Sequence, residues 1–264
     1  MQAEAILQQI VRYPLKSCRG HSIDQAEITA LGIEGDRRLI LAEPDGRFIT
    51  ARTEPQLLQI SVIPHQGGWR ASHPTAESLV FTSQSSGFGE VEVWGRRIKA
   101  PRLRAAEAWF SAVIQRPVQL LFNDAQAKDQ ADKRYPWGPI FSDGYPLLVC
   151  NTASLDAVNA ASGGNFEMAR FRANLVIETN LPWCEDDWGR LQIGDVVLER
   201  QKPCERCVLI TRDPQTTEKH PQQEPLRTLT RLGRHMDGAV LFGQNFSVLK
   251  PGRIETGTAI HLID

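Results

Sequence analysis

Apolar residues in this chain come almost everywhere in short runs, many of them closed by glycine, proline or Asp-Gly. Short runs bounded by turn chemistry suit antiparallel strands, whereas helices need apolar residues spaced three and four apart. Arg38-Leu-Ile-Leu-Ala and Arg47-Phe-Ile-Thr-Ala flank Glu43-Pro-Asp-Gly, a strong hairpin signal. Residues 5–13, 57–63, 89–94, 97–98 and 145–150 read as further strands. Segments 191–198 and 253–262 look alike, each setting a glycine turn between short apolar strands, as small barrels do at corners. Helices are few: one over 105–115 with Trp109, Phe110, Val113 and Ile114 on one stripe, and a capped one from Asn151 to about Gly163-Gly164. A third follows Pro225 with leucines at 226, 229 and 232. Residues 123–138 are polar and aperiodic, which predicts a linker or mobile loop between regions 1–122 and 123–264. The expected fold is therefore α+β and mostly β, with barrel-like regions and a few short helices. No glycine-rich phosphate loop follows a strand, which leaves Rossmann and P-loop architectures without support.

Formal net charge is −1, from 30 basic and 31 acidic side chains. That balance argues against broad attraction to nucleic acid or to a membrane, while leaving room for a local basic pocket. The N-terminus is too polar for a signal peptide, and no apolar run approaches membrane length. Five scattered cysteines (18, 150, 184, 204 and 207) do not form a secreted disulfide framework. A reduced, cytoplasmic monomer is expected.

Lys202-Pro-Cys-Glu-Arg-Cys207 concentrates the reactive chemistry. A thioredoxin-type pair needs its first cysteine at a helix N-terminus, but Cys207 runs into Val-Leu-Ile-Thr, which reads as a strand. Structural zinc needs four ligands, and the other cysteines and later histidines are isolated. Burial as small hydrophobes is the ordinary fate of free cysteine. Against burial stand Lys202, Arg206 and Arg212, because cations around the pair favour the thiolate that binds metal. One thiolate binds metal poorly unless a cofactor brings the other donors. Tyr13-Pro-Leu-Lys16-Ser17-Cys-Arg19-Gly, Asp36-Arg37-Arg38 and Phe171-Arg172-Ala-Asn174 add cations at strand ends, suited to gripping phosphate. The run from Arg96 to Arg104 alternates with apolar residues and reads as an exposed strand face.

Six motifs in order, Tyr-Pro-Leu-Lys-Ser-Cys-Arg-Gly (13–20), Phe-Ile-Thr-Ala-Arg (48–52), Phe-Ser-Asp-Gly-Tyr-Pro (141–146), Phe-Arg-Ala-Asn-Leu-Val (171–176), Lys-Pro-Cys-Glu-Arg-Cys (202–207) and Phe-Gly-Gln-Asn-Phe (242–246), carry a resemblance. Together they closely resemble the MOSC-domain molybdenum enzymes of the bacterial YcbX type and the mitochondrial amidoxime-reducing component. The resemblance implies a MOSC N-terminal β-barrel region, a MOSC domain and a molybdenum cofactor (Mo-molybdopterin) between them. It implies that Cys207 ligates molybdenum and that Lys16, Ser17, Arg37 and Arg172 hold the pterin and its phosphate. Ser142, Asp143, Asn174, Arg206 and Asn245 would line the same pocket, with Asp143 as a proton carrier. The implied reaction reduces N-hydroxylated compounds to amines or amidines with loss of water. YcbX-type relatives carry a ferredoxin domain, whereas this sequence has no cysteine after Cys207. Electrons are therefore expected from a separate ferredoxin-like or cytochrome partner with its reductase. MOSC domains also end molybdenum cofactor sulfurases, which makes a non-catalytic cofactor carrier or sulfur-transfer protein the alternative. Phe171-Arg-Ala-Asn also has alanine where proline is more usual, a change affecting loop stiffness more than chemistry.

Overall fold

Strand β1 (Ile6–Arg12) of the computed structural model, which describes residues 5–123 and 141–263, buries both Leu7 and Ile10 because a register shift between Leu7 and Gln9 resets its alternation. The first half continues with β2 (His21–Ile23), β3 (Gln25–Thr29), β4 (Gly32–Ile33), β5 (Leu39–Ala42), β6 (Ser61–His65), β7 (Gly68–His73), β8 (Ala76–Thr82), β9 (Phe88–Val93) and β10 (Arg96–Pro101). Helix α1 (Arg104–Ile114) and strand β11 (Gln119–Phe122) complete it. The second half holds β12 (Leu147–Asn151), α2 (Thr152–Ser162), β13 (Leu175–Glu178), β14 (Arg190–Ile193) and β15 (Val196–Arg206). It ends with α3 (Leu226–Arg231), β16 (His235–Met236), β17 (Ala239–Lys250), β18 (Gly252–Glu255) and β19 (Ile260–Ile263). The molecule is mostly β, as its turn-punctuated sequence implies.

Among the described residues, nine strands form one sheet in the order β19-β14-β15-β17-β12-β13-β1-β2, with β16 paired to β17. β1 therefore lies beside β13, and β3 pairs with β18 near the chain's end. The first strands thus complete the sheet of the second half, over a core that includes Leu7, Ile10, Val149, Leu175, Leu198 and Phe246. Smaller sheets, β6-β7-β8, β9-β10 and β5-β11, enclose the first half's own core around Leu39, Leu57, Phe81, Phe110 and Leu120. α1 starts one residue before the expected stretch and buries Phe110 and Ile114, with Trp109 and Val113 packed against the same core. α2 is capped by Asn151, whose side chain accepts from the Ala153 amide, and it ends on Gly163 at a left-handed φ of 69°. The exposed-face reading of β10 holds: Arg97 and Lys99 point out while Ile98 and Ala100 are buried.

Local readings differ from the structure in four places, and in the first the expected hairpin arm 47–51 makes only isolated bridges, Phe48 to Ala42 and Arg47 to Glu92. Residues 55–59 form a 3₁₀ turn rather than the start of a strand, because Pro55 presets the first turn and adjacent Leu57 and Leu58 are both buried. An extended chain would point those two leucines to opposite faces. Val208–Thr211 is likewise a 3₁₀ turn, closed by Thr211 Oγ1 donating to the Val208 carbonyl at 2.7 Å. Of the two look-alike segments, 191–198 is the β14–β15 hairpin, whereas 253–262 turns a corner, β18 pairing with β3 and β19 with β14. The stretch 123–138 lies, apart from Asn123, outside the described residues. Among the described residues, no helix is long and apolar enough to cross a membrane.

Candidate functional site

A cavity of about 650 Å³ opens where the two halves meet. Lys16, Ser17, Arg37, Ser142, Asp143, Arg172, Asn174, Arg206, Cys207 and Asn245, the residues singled out in the sequence, all line it. Local backbone geometry explains how they converge. Ser17, Arg37 and Arg172 take φ values of 69°, 45° and 57°, left-handed conformations that side-chain-bearing residues adopt at a cost. Ser17 lies ahead of β2, Arg37 just before β5 and Arg172 just before β13, and all three side chains line the cavity. Arg38 and Arg19 from the same motifs go elsewhere. Arg38 donates to the Asn123 carbonyl at 3.5 Å, and Arg19 lines a second cavity of about 330 Å³.

Tyr13 organises the cationic wall. Arg37 and Arg172 each place a guanidinium carbon 4.4 Å from its ring centroid, while its hydroxyl donates to the Ala173 carbonyl at 3.1 Å. Burial pushes the phenol up to about 12, so it stays neutral. Arg37 also donates to Asp36 and, at 2.9 Å, to Asn174 Oδ1. Burial works against the Arg37 charge, but the neighbouring Asp36 more than offsets it. Asn174 further accepts from the Leu148 amide at 3.2 Å and donates to the Val11 carbonyl at 3.2 Å, so its amide ties β1 and β12 to Arg37. Arg172 donates to the Cys18 carbonyl at 2.7 Å, and burial holds it below its ordinary value.

Lys16 is 5% exposed; its ammonium donates to the Phe141 carbonyl at 2.8 Å and pairs closely with Asp143. Burial lowers the Lys16 pKa, and Asp143 only partly restores it. Asp143 is 78% exposed to the open cavity. Partial desolvation raises its carboxyl, but Lys16, Arg37 and Arg172 outweigh that and bring it down to about 2. At neutral pH Asp143 is thus an anion resting on a buried cation.

The opposite wall carries the cysteine pair. β15 stays extended to Arg206, and Cys207 has φ −95° and ψ 175°. Three extended steps separate the two Cα atoms by roughly 10 Å, at about 3.3 Å per residue. A disulfide needs less than about 7 Å, so Cys204 and Cys207 cannot join without backbone movement. Cys18 and Cys150 are fully buried and their thiols are raised by burial, whereas Cys207 is exposed to the cavity. Arg206 donates to Cys204 Sγ at 3.0 Å and to the Phe171 carbonyl at 2.7 Å. Of the three cations expected around the pair, only Arg206 contacts it. Lys202 lines the cavity but pairs with Glu205 at 2.9 Å, and Arg212 donates to the Thr217 carbonyl at 2.9 Å. Asn245 donates to the Pro203 carbonyl at a long 3.4 Å.

Sequence reasoning passed over Arg170, Phe48, Arg52 and Trp94, which also line the cavity. Arg170 pairs with Asp213 at 2.8 Å, yet its Nε and Nη1 are buried without a partner among the described residues, as is Arg206 Nε. Phe48 and Arg52 lie within the Phe-Ile-Thr-Ala-Arg motif. Trp94, followed by Gly95 in a turn, was a readable signal, since a large ring there has no turn-forming purpose.

Residues 4–117 match the MOSC N-terminal beta barrel domain and residues 139–261 the MOSC domain. The chain is 30% identical to the human mitochondrial amidoxime-reducing component 1 over 285 aligned positions, covering 100% of this chain and 84% of that protein. The bovine mitochondrial amidoxime reducing component 2 is also 30% identical, over 99% of this chain and 84% of that protein. A solved structure, the YUAD protein from Bacillus subtilis, aligns with 97% of this chain and 93% of that one at 13% identity and a TM-score of 0.46. Fold and site thus define a protein built from an N-terminal MOSC barrel region and a MOSC domain. The chain belongs to the MOSC family that includes the mitochondrial amidoxime-reducing components.

Proposed function

We propose that the cavity holds an anionic molybdenum–pterin cofactor and that the chain uses it to reduce N-hydroxylated compounds, such as amidoximes, hydroxylamines and hydroxylaminopurines. One observation carries this reading: a single cavity joins the exposed Cys207 thiol to the cations Lys16, Arg37 and Arg172. Three cations converging on one cavity suit a phosphate-bearing ligand. Among the described residues no three His, Cys, Asp or Glu side chains converge as metal ligands, and a lone soft thiolate suits a metal whose other donors arrive with it. The names of the related amidoxime-reducing components support the same chemistry.

The bound cofactor supplies two-electron reduction: the N–O bond takes up two electrons and two protons and is released as N–H and water. Cys207 is the metal ligand, Lys16, Ser17, Arg37 and Arg172 hold the pterin and phosphate, and Ser142, Arg206 and Asn245 shape the pocket. Asn174 acts through Arg37, whose guanidinium it fixes. Asp143 rests on Lys16 at neutral pH. Exposed in the cavity, Asp143 would be the group that carries a proton to the departing oxygen. Electrons come from a separate donor protein, and the chain works as a cytoplasmic monomer. The test is to assay purified chain for molybdenum and for reduction of benzamidoxime with reduced viologen. Metal with turnover supports the reductase, metal without turnover favours the carrier reading, and neither contradicts both.

A further inference from the structure

Two aromatic rings, Phe48 and Trp94, line the cavity beside Lys16. Trp94 and Gly95 are the two residues of the β9–β10 turn, Val93 pairing with Arg96 across it. Their φ values are 53° and 76°, both positive, which suits Asn-Gly or Asp-Gly and strains a bulky ring. Trp69 and Trp109 of the same half pack against its core, but Trp94 remains 38% exposed and lines the cavity. Its ring meets Phe48 edge-on, with centroids 5.5 Å apart at 62°. The Arg52 guanidinium lies 5.2 Å from its centroid and the Lys16 ammonium 5.9 Å. Asparagine would close this turn with less strain, so the indole is held there for its surface.

We propose that Trp94 determines specificity: braced by Phe48, its indole is the platform for the flat ring of an aromatic N-hydroxylated substrate. This deepens the reductase reading and rests on it. Stacking rewards planar partners, and the two cations beside the ring favour a neutral, electron-rich heteroaromatic over a cationic one. Hydroxylamine itself has no ring to stack.

Trp94→Asn removes the ring while suiting the turn, and Trp94→Phe keeps a smaller ring. With reduced viologen as electron source, two substrates are compared by their kcat/KM, N-hydroxylated adenine and hydroxylamine, and adenine binding is measured by calorimetry without turnover. The ratio of the two kcat/KM values falls about tenfold or more in Trp94→Asn, adenine binding weakens alike, and Trp94→Phe recovers most of both. An unchanged ratio with unchanged adenine binding, or a wild type that does not bind adenine, overturns the platform. Adenine binding that depends on Trp94 in a chain that reduces no N–O bond sinks the reductase reading and leaves the platform standing.

Discussion

Lys16 and Asp143 hold each other in a cavity that also gathers Arg37 and Arg172, and their pairing has a measurable pH signature. The Asp143 carboxyl is depressed from 3.8 to about 2, so its contribution to stability is present above the unfolded value and is lost as pH falls through the folded one. The difference in Tm between wild type and Asp143→Asn, followed by scanning calorimetry, is full above about pH 5 and closes as pH falls from about 4 toward 2. A difference that widens with acid contradicts the pairing. The cations make a second prediction: Lys16→Ala or Arg172→Ala lowers cofactor content in folded protein, each lost charged hydrogen bond weakening binding about tenfold to hundredfold. Normal content in the double variant would show them idle. Cations, hydroxyls and thiols at the site were legible because their types and order carry chemistry. Arg170 and Trp94 were not assigned, because one matters through N–H groups left unpaired by packing and the other through the wall its turn happens to face.

β17 brings Asn245 to the cavity, and Gly243 two residues earlier lies against Val149 and Cys150 of β12. Gly243 has φ 77°, and a Cβ there would lie 2.6 Å from Cys150 Sγ and 2.8 Å from the Val149 carbonyl oxygen. Gly243→Ala therefore combines left-handed strain with overpacking, roughly 2–5 kcal/mol together. Urea unfolding should register that loss, and a neutral result would mean the strands part easily. Helices were read correctly where the apolar stripe or the cap was clear, as in α1 and α2 respectively. Residues 55–59 and 208–211 misled because a short apolar run has no period of its own, and neighbouring buried residues decided its conformation. The segments 191–198 and 253–262 share a pattern but differ in partner, which pattern does not encode.

The halves interlock: β1 and β2 from the beginning of the chain complete the large sheet of the second half and β3 pairs with β18, bringing Lys16, Arg37 and Cys207 to one cavity. Sequence motifs named both walls of the site, but the pairing of β1 with β13, more than 160 residues away, is a long-range contact that no local signal announces. The five cysteines are scattered at 18, 150, 184, 204 and 207, and Cys18 and Cys150 are fully buried, so this sequence offers no set of four thiolates for an iron–sulfur cluster. NADH given to the purified chain should drive no reduction of benzamidoxime, while reduced viologen should; turnover with NADH would reveal a second redox centre. The cysteine pair offers the most direct test of the metal site, because Cys207 faces the cavity as the proposed ligand while Cys204 is engaged with Arg206. Metal content and viologen-driven turnover are to be measured together in wild type, Cys204→Ser and Cys207→Ser. Wild type and Cys204→Ser should carry about one molybdenum per chain and substantial activity, and Cys207→Ser should lose turnover, because a hydroxyl is a much harder ligand than a thiolate. Full turnover in Cys207→Ser, or an equal loss in both variants, would contradict the account.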